Sequence, residues 1–378
     1  MLNTLLKKLI ILISLTMLGV INVKAQPLVG FGGGDGITEA TAYQIYSKAH
    51  LEYLGNRTSV VIATPPTNWT YMKYFKIMDD ITDSIGSIIG SNLNFFSSYN
   101  IAAFQGYLDG NNKKITLNIN NYLFIYTKID GSKDTTKLSH AGLFPIMYKA
   151  RITNVITDGY IINNVWDDDI SYRWLGIVGR FCSGEVHNCT NLADYITNSV
   201  CVGGIVGHAD TNAIITNCSN YGNIEAYSFV SQISAVGGIV GHIDFNPERQ
   251  NCKVSNCINQ GTISGNDAVG GIVGMLGTSP YVNISSVNNT EIIRALNIGN
   301  VIGNNYVAGI IGINNSQSVV EECINSGYIK GNNNVSGISF NSIDSYPIID
   351  PYPIITNSIN TGVVECENDD GDIYGIAP

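Results

Sequence analysis

The stretch Val202-Gly-Gly-Ile-Val-Gly207 decides the fold, because it recurs along the chain. It returns as Val236-Gly-Gly-Ile-Val-Gly241 and Val269-Gly-Gly-Ile-Val-Gly274, with weaker copies at 175–179, 307–312 and 335–338. The second glycine of each copy falls at 176, 204, 238, 271, 309 and 337, at intervals of 28, 34, 33, 38 and 28 residues. A core unit of about 25 residues with insertions of variable length is therefore repeated.

Each unit carries further matching positions after the glycine motif. The aliphatic column holds Ile152, Val186, Ile215, Val254, Ile292, Val320 and Ile355. The small column follows three residues later with Val155, Cys189, Cys218, Cys257, Ala295, Cys323 and Ser358. The asparagine column holds Asn191, Asn220, Asn259, Asn297, Asn325 and Asn360. The glycine column holds Gly222, Gly261, Gly299, Gly327 and Gly362. Such columns predict that successive units stack in register.

We predict an all-β chain that forms a right-handed parallel β-helix, or β-solenoid, with three short strands in each coil. Each strand pairs with its counterpart one coil away, at about 4.8 Å, so that equivalent positions stack. The aliphatic column then lies in the core, the asparagines form an amide ladder, and the glycines mark a positive φ or a close approach. A helical repeat is the competing architecture, but each glycine costs about 1 kcal/mol in a helix relative to alanine. The pattern leaves open whether the Ile or the Val of Gly-Ile-Val-Gly faces the core.

The N-terminal residues have the pattern of a secretory signal. Lys7 and Lys8 precede an apolar run, and Val23-Lys24-Ala25 is a small-x-small cleavage site. The run is shorter than the roughly 20 residues of a membrane-spanning helix, which favours cleavage over an uncleaved anchor. We predict a signal peptide at 1–25, a small N-terminal α+β cap at 26–100 and the β-helix at 101–378.

The composition limits the kinds of partner. Without the signal peptide, 17 basic residues face 30 acidic ones, for a net charge near −13. An acidic surface argues against nucleic acid and anionic membranes as partners. Many glycines and few charged residues suit stacked strands and tight turns rather than disorder. No second apolar segment of spanning length follows, so we expect an exported protein without a transmembrane segment, extracellular or associated with the outer-membrane surface.

The order Gly-Gly-Ile-Val-Gly and then Ile-x-Asn-Cys-x-Asn-x-Gly-x-Ile resembles the GLUG repeat of bacterial surface and adhesin-type proteins. The segments Lys76-Ile-Met-Asp-Asp-Ile81 and Phe104-Gln-Gly-Tyr-Leu-Asp-Gly110 resemble the region that precedes those repeats. The likeness covers roughly residues 37 to 378. It implies a β-helical, exported and often adhesive protein, in a family without shared catalytic residues.

The cysteines have two interpretations. Four of the eight share the small column with Val, Ala and Ser, a pattern that indicates packed thiols. Side chains at equivalent positions of neighbouring coils are also slightly too far apart for a relaxed disulfide. Export permits disulfides, so a bond between Cys182 and Cys201, or from Cys252 to a neighbour, stays open.

Two polar features are weighed as metal sites. His208 and His242 each follow Gly-Ile-Val-Gly and are expected one coil apart. We interpret them as corner side chains in solvent, because a two-histidine metal site lacks an identifiable third ligand. The acidic clusters at 167–169 and 367–372 match no defined calcium loop, so we interpret them as solvated loop charges.

These observations predict a non-enzymatic, exported β-solenoid of adhesin type, with no catalytic residue, cofactor or metal site. Its partner would be a host or matrix protein or a glycan, contacted by the loops at the corners of the coil. Those loops are Leu123–Leu138, Trp166–Trp174, Tyr227–Ala235, Pro247–Cys252, Gly277–Thr290 and Ser339–Pro353. Aromatic side chains on loops suit such contacts. The candidates are Trp166, Tyr172, Trp174, Tyr227, Phe229, Tyr281 and Tyr346, with Tyr126 as a further loop aromatic.

Two other functions stay open. Parallel β-helices also serve as polysaccharide lyases and hydrolases, which need carboxylates that converge on one outward face. Here the repeated outward positions are Thr, Ser, Asn and Gly, which weakens an enzymatic interpretation. The second alternative is a purely structural stalk.

Overall fold

The structure is a computed structural model. It describes residues 30–58, 61–63, 67–85, 103–120, 124–127, 133–136, 140–163, 174–228, 233–244, 251–277, 290–316, 318–341, 353–368 and 371–375. The predicted signal peptide lies outside these residues. Among them, no helix combines the length and the apolar character needed to cross a membrane.

Short strands dominate the described residues. Helix α1 spans Lys48–Thr58. The first strands are β1 Tyr43–Ile45, β2 Val61–Ala63, β3 Thr67–Asn68, β4 Tyr74–Ile77, β5 Ile81–Ile85, β6 Tyr107–Asp109, β7 Lys114–Asn120, β8 Phe124–Thr127, β9 Lys133–Thr136, β10 His140–Ala141, β11 Phe144–Thr153, β12 Ile156–Asn163 and β13 Trp174–Leu175. Next come β14 Val178–His187, β15 Thr190–Asn191, β16 Asp194–Thr197, β17 Cys201–Gly203, β18 Val206–Thr216, β19 Ser219–Asn220, β20 Ile224–Ala226, β21 Ala235–Gly237, β22 Val240–Ile243, β23 Lys253–Ser255, β24 Ile258–Asn259, β25 Ile263–Gly265, β26 Asp267–Gly270 and β27 Val273–Gly277. The last are β28 Glu291–Ile293, β29 Leu296–Asn297, β30 Val301–Ile302, β31 Asn305–Ala308, β32 Ile311–Asn315, β33 Val319–Glu321, β34 Ile324–Asn325, β35 Ile329–Gly331, β36 Asn333–Ser336, β37 Ser339–Asn341, β38 Ile354–Thr356, β39 Ile359–Asn360, β40 Val364–Cys366 and β41 Ile373–Tyr374.

Three long parallel sheets run the length of the described coils, so the predicted parallel β-helix is confirmed. Sheet I has 14 strands and includes β11, β14, β18, β22 and β27; sheet II has eight, from β10 to β41; sheet III has 15 and includes β12, β16 and β20. The chain passes from sheet II to sheet I and then to sheet III in each coil. The antiparallel pairs β2–β3 and β8–β9 stand apart from the three sheets. The right-handed sense of the coil stays a prediction.

The aliphatic column stacks as the sequence predicts. Ile152 pairs with Val186, Val186 with Ile215, and Ile215 with Val254, and the pairing continues coil by coil to Ile355. Its members are fully or almost fully buried, apart from Ile355, which is partly exposed in the last coil. One continuous apolar core therefore connects the coils, as expected when each coil contacts mainly its neighbours.

Both apolar residues of Gly-Ile-Val-Gly face the core, which answers the question that the pattern left open. The backbone bends at Gly204 and Ile205 between β17 and β18, and this interrupts the alternation of a strand. Ile205 and Val206 are both fully buried. Their N–H groups both donate to the carbonyl of Ile239 in the next coil, at 3.1 and 2.9 Å. A Cβ on Gly203 would lie 2.1 Å from the carbonyl oxygen of Val206, so the bend requires glycine.

A left-handed residue forms the corner between sheets I and III. It precedes the small column in every coil, with φ between 51° and 56°, at Asn154, Asn188, Asn217, Asn256, Arg294, Glu322 and Asn357. Asparagine adopts this conformation more readily than other non-glycine residues, which explains its frequency here. The glycine column does not have positive φ. A Cβ on Gly261 would lie 2.0 Å from the carbonyl oxygen of Gly222, so close approach of neighbouring coils is the reason for glycine.

The N-terminal residues add strands to the same stack. Strands β1 and β4 are neighbours in sheet I, and the chain between them contains helix α1. Leu51 and Leu54 of α1 are buried in the main core, and the Lys48 ammonium donates to the carbonyl of Ser84 in β5 at 3.0 Å. Strand β5 pairs only with β7 among the described strands, so α1 packs where sheet III begins. The predicted boundary at residue 100 falls outside the described residues and stays a prediction.

Candidate functional site

Two of the seven predicted contact aromatics lie in the described residues. Tyr227 is 42% exposed where the chain leaves β20, and its N–H donates to the carbonyl of Thr197 at 3.0 Å. Trp174 belongs to strand β13 rather than to a loop, and only 7% of it is exposed. Its placement on an exposed corner loop is therefore corrected. The others, Trp166, Tyr172, Phe229, Tyr281 and Tyr346, lie outside the described residues, and Tyr126 is described only as part of β8.

Trp174 is part of a stack of rings on the outer side of the corner between sheets I and II. Its ring lies 4.3 Å from the ring of His140 and 4.4 Å from that of His208. His208 in turn lies 5.1 Å from His242, edge to face. The two histidines are one coil apart, as expected. His208 is only 4% exposed and His242 is partly buried, so the expectation that both project into solvent is wrong.

This stack sits beside a second apolar cluster, separated from the core by the backbone. Its members are Trp174, Val200, Cys201, Ala235, Ala268, Met275 and Ile313. Cys201, Ala235 and Ala268 come from sheet II, whereas Met275 and Ile313 come from sheet I. Cys201, Ala235 and Ala268 are small residues that face the longer Met275 and Ile313 across this corner, and His140 and His208 are buried there.

At the same corner, basic side chains of three successive coils each contact an oxygen acceptor in the following coil. Arg180 forms an ion pair with Asp210 of the next coil at 2.9 Å, and His208 lies 3.7 Å from Asp244 of the coil after that. In the third step, His242 Nε2–H donates to the carbonyl of Gly277 at 2.8 Å. The Arg180 guanidinium also lies 4.8 Å from the centre of the Trp174 ring. Each basic side chain thus reaches an acceptor one coil further on.

Burial sets the electrostatics of this corner. Only 14% of the Arg180 side chain and 15% of the Asp210 side chain are exposed, so the pair is largely removed from water. Desolvation lowers the pKa of His242 to about 4; Asp244 opposes this shift and His208 adds to it. Neutral His242 is therefore favoured at neutral pH. No cluster of three or more His, Cys, Asp or Glu side chains suited to a metal ion occurs within the described part of the chain.

The cysteines in the small column are packed thiols, as predicted. Cys189, Cys218, Cys257 and Cys323 are buried and free. The Cys218 thiol donates to the carbonyl of Thr216 at 3.3 Å, and burial raises its pKa well above the ordinary value. Cys201 and Cys252 are also free, so neither of the two disulfides that the sequence left open forms in this structure.

A second polar site lies on the outer face of sheet I in the first coils, and the sequence analysis missed it. It is a cleft open to solvent, hereafter the N-terminal cleft. Its lining residues are Glu39, Ala42, Tyr74, Phe75, Lys76, Tyr107, Leu108, Asp109, Arg151 and Thr153. Alternation along β4 places Tyr74 and Lys76 on one face, and alternation along β6 does the same for Tyr107 and Asp109. The residues before the repeats have no repeated motif, so the sequence does not show how β4 and β6 pair.

Pairing between coils fixes the polar side chains of the N-terminal cleft. Tyr74 pairs with Tyr107 and Lys76 with Asp109. The two tyrosine rings lie 4.9 Å apart, and Lys76 Nζ lies 3.2 Å from Asp109 Oδ2. Burial raises the pKa of Asp109, but hydrogen bonds from Asn154, the Asn111 N–H and Lys76 outweigh it and lower the pKa. Asp109 is therefore a fixed, ionised acceptor.

Comparison with known proteins supports the repeat. Residues 198–225 match the GLUG motif, so the resemblance noted in the sequence is confirmed there. Among solved structures, the chain is similar to one described as a "putative immunoglobulin A1 protease from Bacteroides ovatus", with 17% identity, a TM-score of 0.45, and coverage of 92% of this chain and 87% of that chain. A search among curated proteins found no significant match.

Proposed function

We propose that this protein is an exported, non-enzymatic surface β-solenoid of adhesin type that contacts a protein or glycan partner through its corner loops. The observation that carries the proposal is the alignment of the loop attachment points. Sheet I is interrupted by an insertion at the same place in three of the later coils, between β22 and β23, between β27 and β28, and between β37 and β38. Segments inserted there all start from one side of the stack, and a rigid scaffold that displays variable loops is a common binding design.

The regularity of the scaffold supports a display role. The buried columns repeat, whereas the insertions differ in length and sequence. Long insertions at such interruptions add little loop-closure entropy, so they can vary without unfolding the coils. The proposed site of contact is therefore the loops, and the coils set the spacing between them at about 4.8 Å per coil.

Two deletions of different kinds test this proposal. Replacing residues 278–289 with a short Gly-Ser linker removes one corner insertion and keeps every described strand. Deleting residues 310–337 instead joins Gly309 to Ile338, preserves the Gly-Ile step and removes one coil without a long insertion. Binding of the purified proteins to glycan arrays and to matrix proteins is then compared with wild type.

We expect the linker variant to lose at least one matrix protein or array glycan that wild type binds, and the coil deletion to retain that binding. The reverse result would indicate a spacer in which length alone matters. Release of reducing sugar from a polysaccharide panel by the wild-type protein would refute the non-enzymatic part of the proposal. Wild-type protein that is folded yet binds nothing on either surface would refute the adhesive part.

A further inference from the structure

The outer face of sheet I differs in character along the stack. The column that starts with Tyr74 continues through Tyr107, Arg151, Glu185, Ile214, Lys253, Glu291, Val319 and Ile354. After Tyr107 it holds charged and aliphatic residues, and two ion pairs link neighbouring coils, Arg151 with Glu185 and Lys253 with Glu291. Stacked, partly exposed aromatic residues occur in this column only in its first two coils. Coil stacking does not require them, because later coils stack without them.

The N-terminal cleft has the elements of a small-molecule binding site. The cleft is open to solvent, so a ligand can reach its lining residues directly. The tyrosines supply a partly exposed aromatic surface with a hydroxyl at each tip. Lys76 supplies N–H donors and Asp109 a carboxylate whose orientation is fixed by three hydrogen bonds. These groups are positioned by strand pairing, so they are ordered before any ligand arrives.

The charges in the cleft indicate the class of ligand. The charged lining residues are two cations, Lys76 and Arg151, and two carboxylates, Glu39 and Asp109, so they cancel. The whole sequence carries a formal net charge of −10, and the chain without the predicted signal peptide is more acidic still, which disfavours anionic ligands. A neutral ligand that carries many hydroxyl groups and has apolar C–H faces matches both the donor and acceptor set and the tyrosine rings.

We propose that the N-terminal cleft is a binding site for neutral glycans, with the Tyr107 ring packed against a sugar face and with Lys76 and Asp109 bonded to sugar hydroxyls. This site deepens the proposed adhesive function by naming a partner class, and none of its lining residues belongs to a predicted corner loop. The two proposals are therefore separable by mutation.

Lys76 and Lys253 provide a matched pair of variants for the test. Both lie on sheet I in ion pairs, and 40% and 39% of their side chains are exposed. The probes are neutral gluco-, galacto-, manno- and xylo-oligosaccharides, with sialylated and sulfated oligosaccharides for comparison. Binding to the full chain is measured by saturation-transfer NMR and titration, and circular dichroism verifies that each variant is folded.

We expect wild type to bind at least one neutral series, Lys76→Gln to bind it about tenfold more weakly, and Lys253→Gln to bind it like wild type. Tyr107→Phe keeps the ring pair and is expected to retain most of the affinity, whereas Tyr107→Ala loses it. Equal binding by the two lysine variants would overturn the proposal, as would binding confined to the acidic oligosaccharides or no binding by folded wild type.

The linker variant that lacks residues 278–289 separates this site from the corner loops. Because it leaves the N-terminal cleft intact, it should bind the neutral oligosaccharide like wild type. Loss of oligosaccharide binding in that variant, with Lys76→Gln unaffected, would assign the sugar to the loops and overturn the cleft. Failure of loop-dependent adhesion with the cleft still binding would overturn only the adhesive function.

Discussion

The asparagine ladder makes a quantitative prediction about stability. In the middle of the ladder, Asn259 Nδ2 donates to Asn297 Oδ1 at 2.8 Å and to the carbonyl of Gly261 at 2.9 Å. Its Oδ1 accepts from Asn220 Nδ2 at 2.8 Å, and the side chain is fully buried. Asn259→Ala removes three hydrogen bonds of about 1 kcal/mol each and leaves the buried Asn297 oxygen without this donor. The expected loss is about 3–5 kcal/mol of the free energy of unfolding.

Urea denaturation followed by far-ultraviolet circular dichroism measures this loss. The surface control is Asn300→Ala, because Asn300 is exposed, and it should stay within about 0.5 kcal/mol of wild type. The ladder control is Asn360→Ala at the last coil, where the amide is only partly buried and a loss of about 1–2 kcal/mol is expected. Hydrogen exchange should also become faster at β24 and β29 in Asn259→Ala. Equal stability of the Asn259 and Asn300 variants would refute the idea that the ladder stabilises the stack.

Three further predictions concern the corners and the thiols. Glu322 has a φ of 54° at the left-handed corner, and asparagine tolerates this conformation better than glutamate. Calorimetry of Glu322→Asn should therefore show a free energy of unfolding about 0.5–1 kcal/mol higher, reduced by loss of the exposed ion pair with Arg294. The control Glu321→Asn, in the adjacent strand, should show no gain. The pKa of His242 is about 4 in the folded protein, below its ordinary 6.5, so this residue's contribution is fully present above pH 6.5 and is lost as the pH falls towards 4. That loss reaches at most about 3 kcal/mol, and His242→Gln should flatten the pH dependence of urea midpoints in this window. Burial raises the pKa of the Cys218 and Cys257 thiols, so alkylation of the native protein at pH 8 should leave both unmodified in peptide maps. The partly exposed Cys366 should react first. Prompt labelling of Cys218 would contradict its packing.

Much of the fold could be predicted because stacking copies one coil onto the next. Aligning the repeats therefore gives the register directly, and the aliphatic pairs from Ile152 to Ile355 lie opposite each other as that alignment requires. The amide ladder follows from the same reasoning. The sequence pattern could not show that Ile205 and Val206 both face the core. Side chains of a strand normally alternate between its two faces, but a bend at the glycines interrupts this alternation here.

The candidate sites were harder to predict, because they depend on contacts between outer faces. Trp174 was predicted on a corner loop as an aromatic residue of the 166–174 insertion, but it pairs with His140 in sheet II and stacks on its ring. His208 of sheet I is buried against the Trp174 ring of sheet II, and no local sequence pattern connects these two residues. The N-terminal cleft needed the pairing of β4 with β6, and the non-repetitive lead-in gives no alignment from which to infer it.

Two groups of positions in the early coils depart from the repeat. At the outer corner, one column changes from Arg180, His208 and His242 to Met275 and Ile313 in later coils. The apolar residues pack at this corner without the cost of removing charge from water, so stacking alone does not account for the buried Arg180–Asp210 pair. The N-terminal cleft departs in the same half of the stack, with aromatic residues where later coils have aliphatic or charged ones. The corner pair and the cleft are therefore features of the early coils that the stacking of coils alone does not explain.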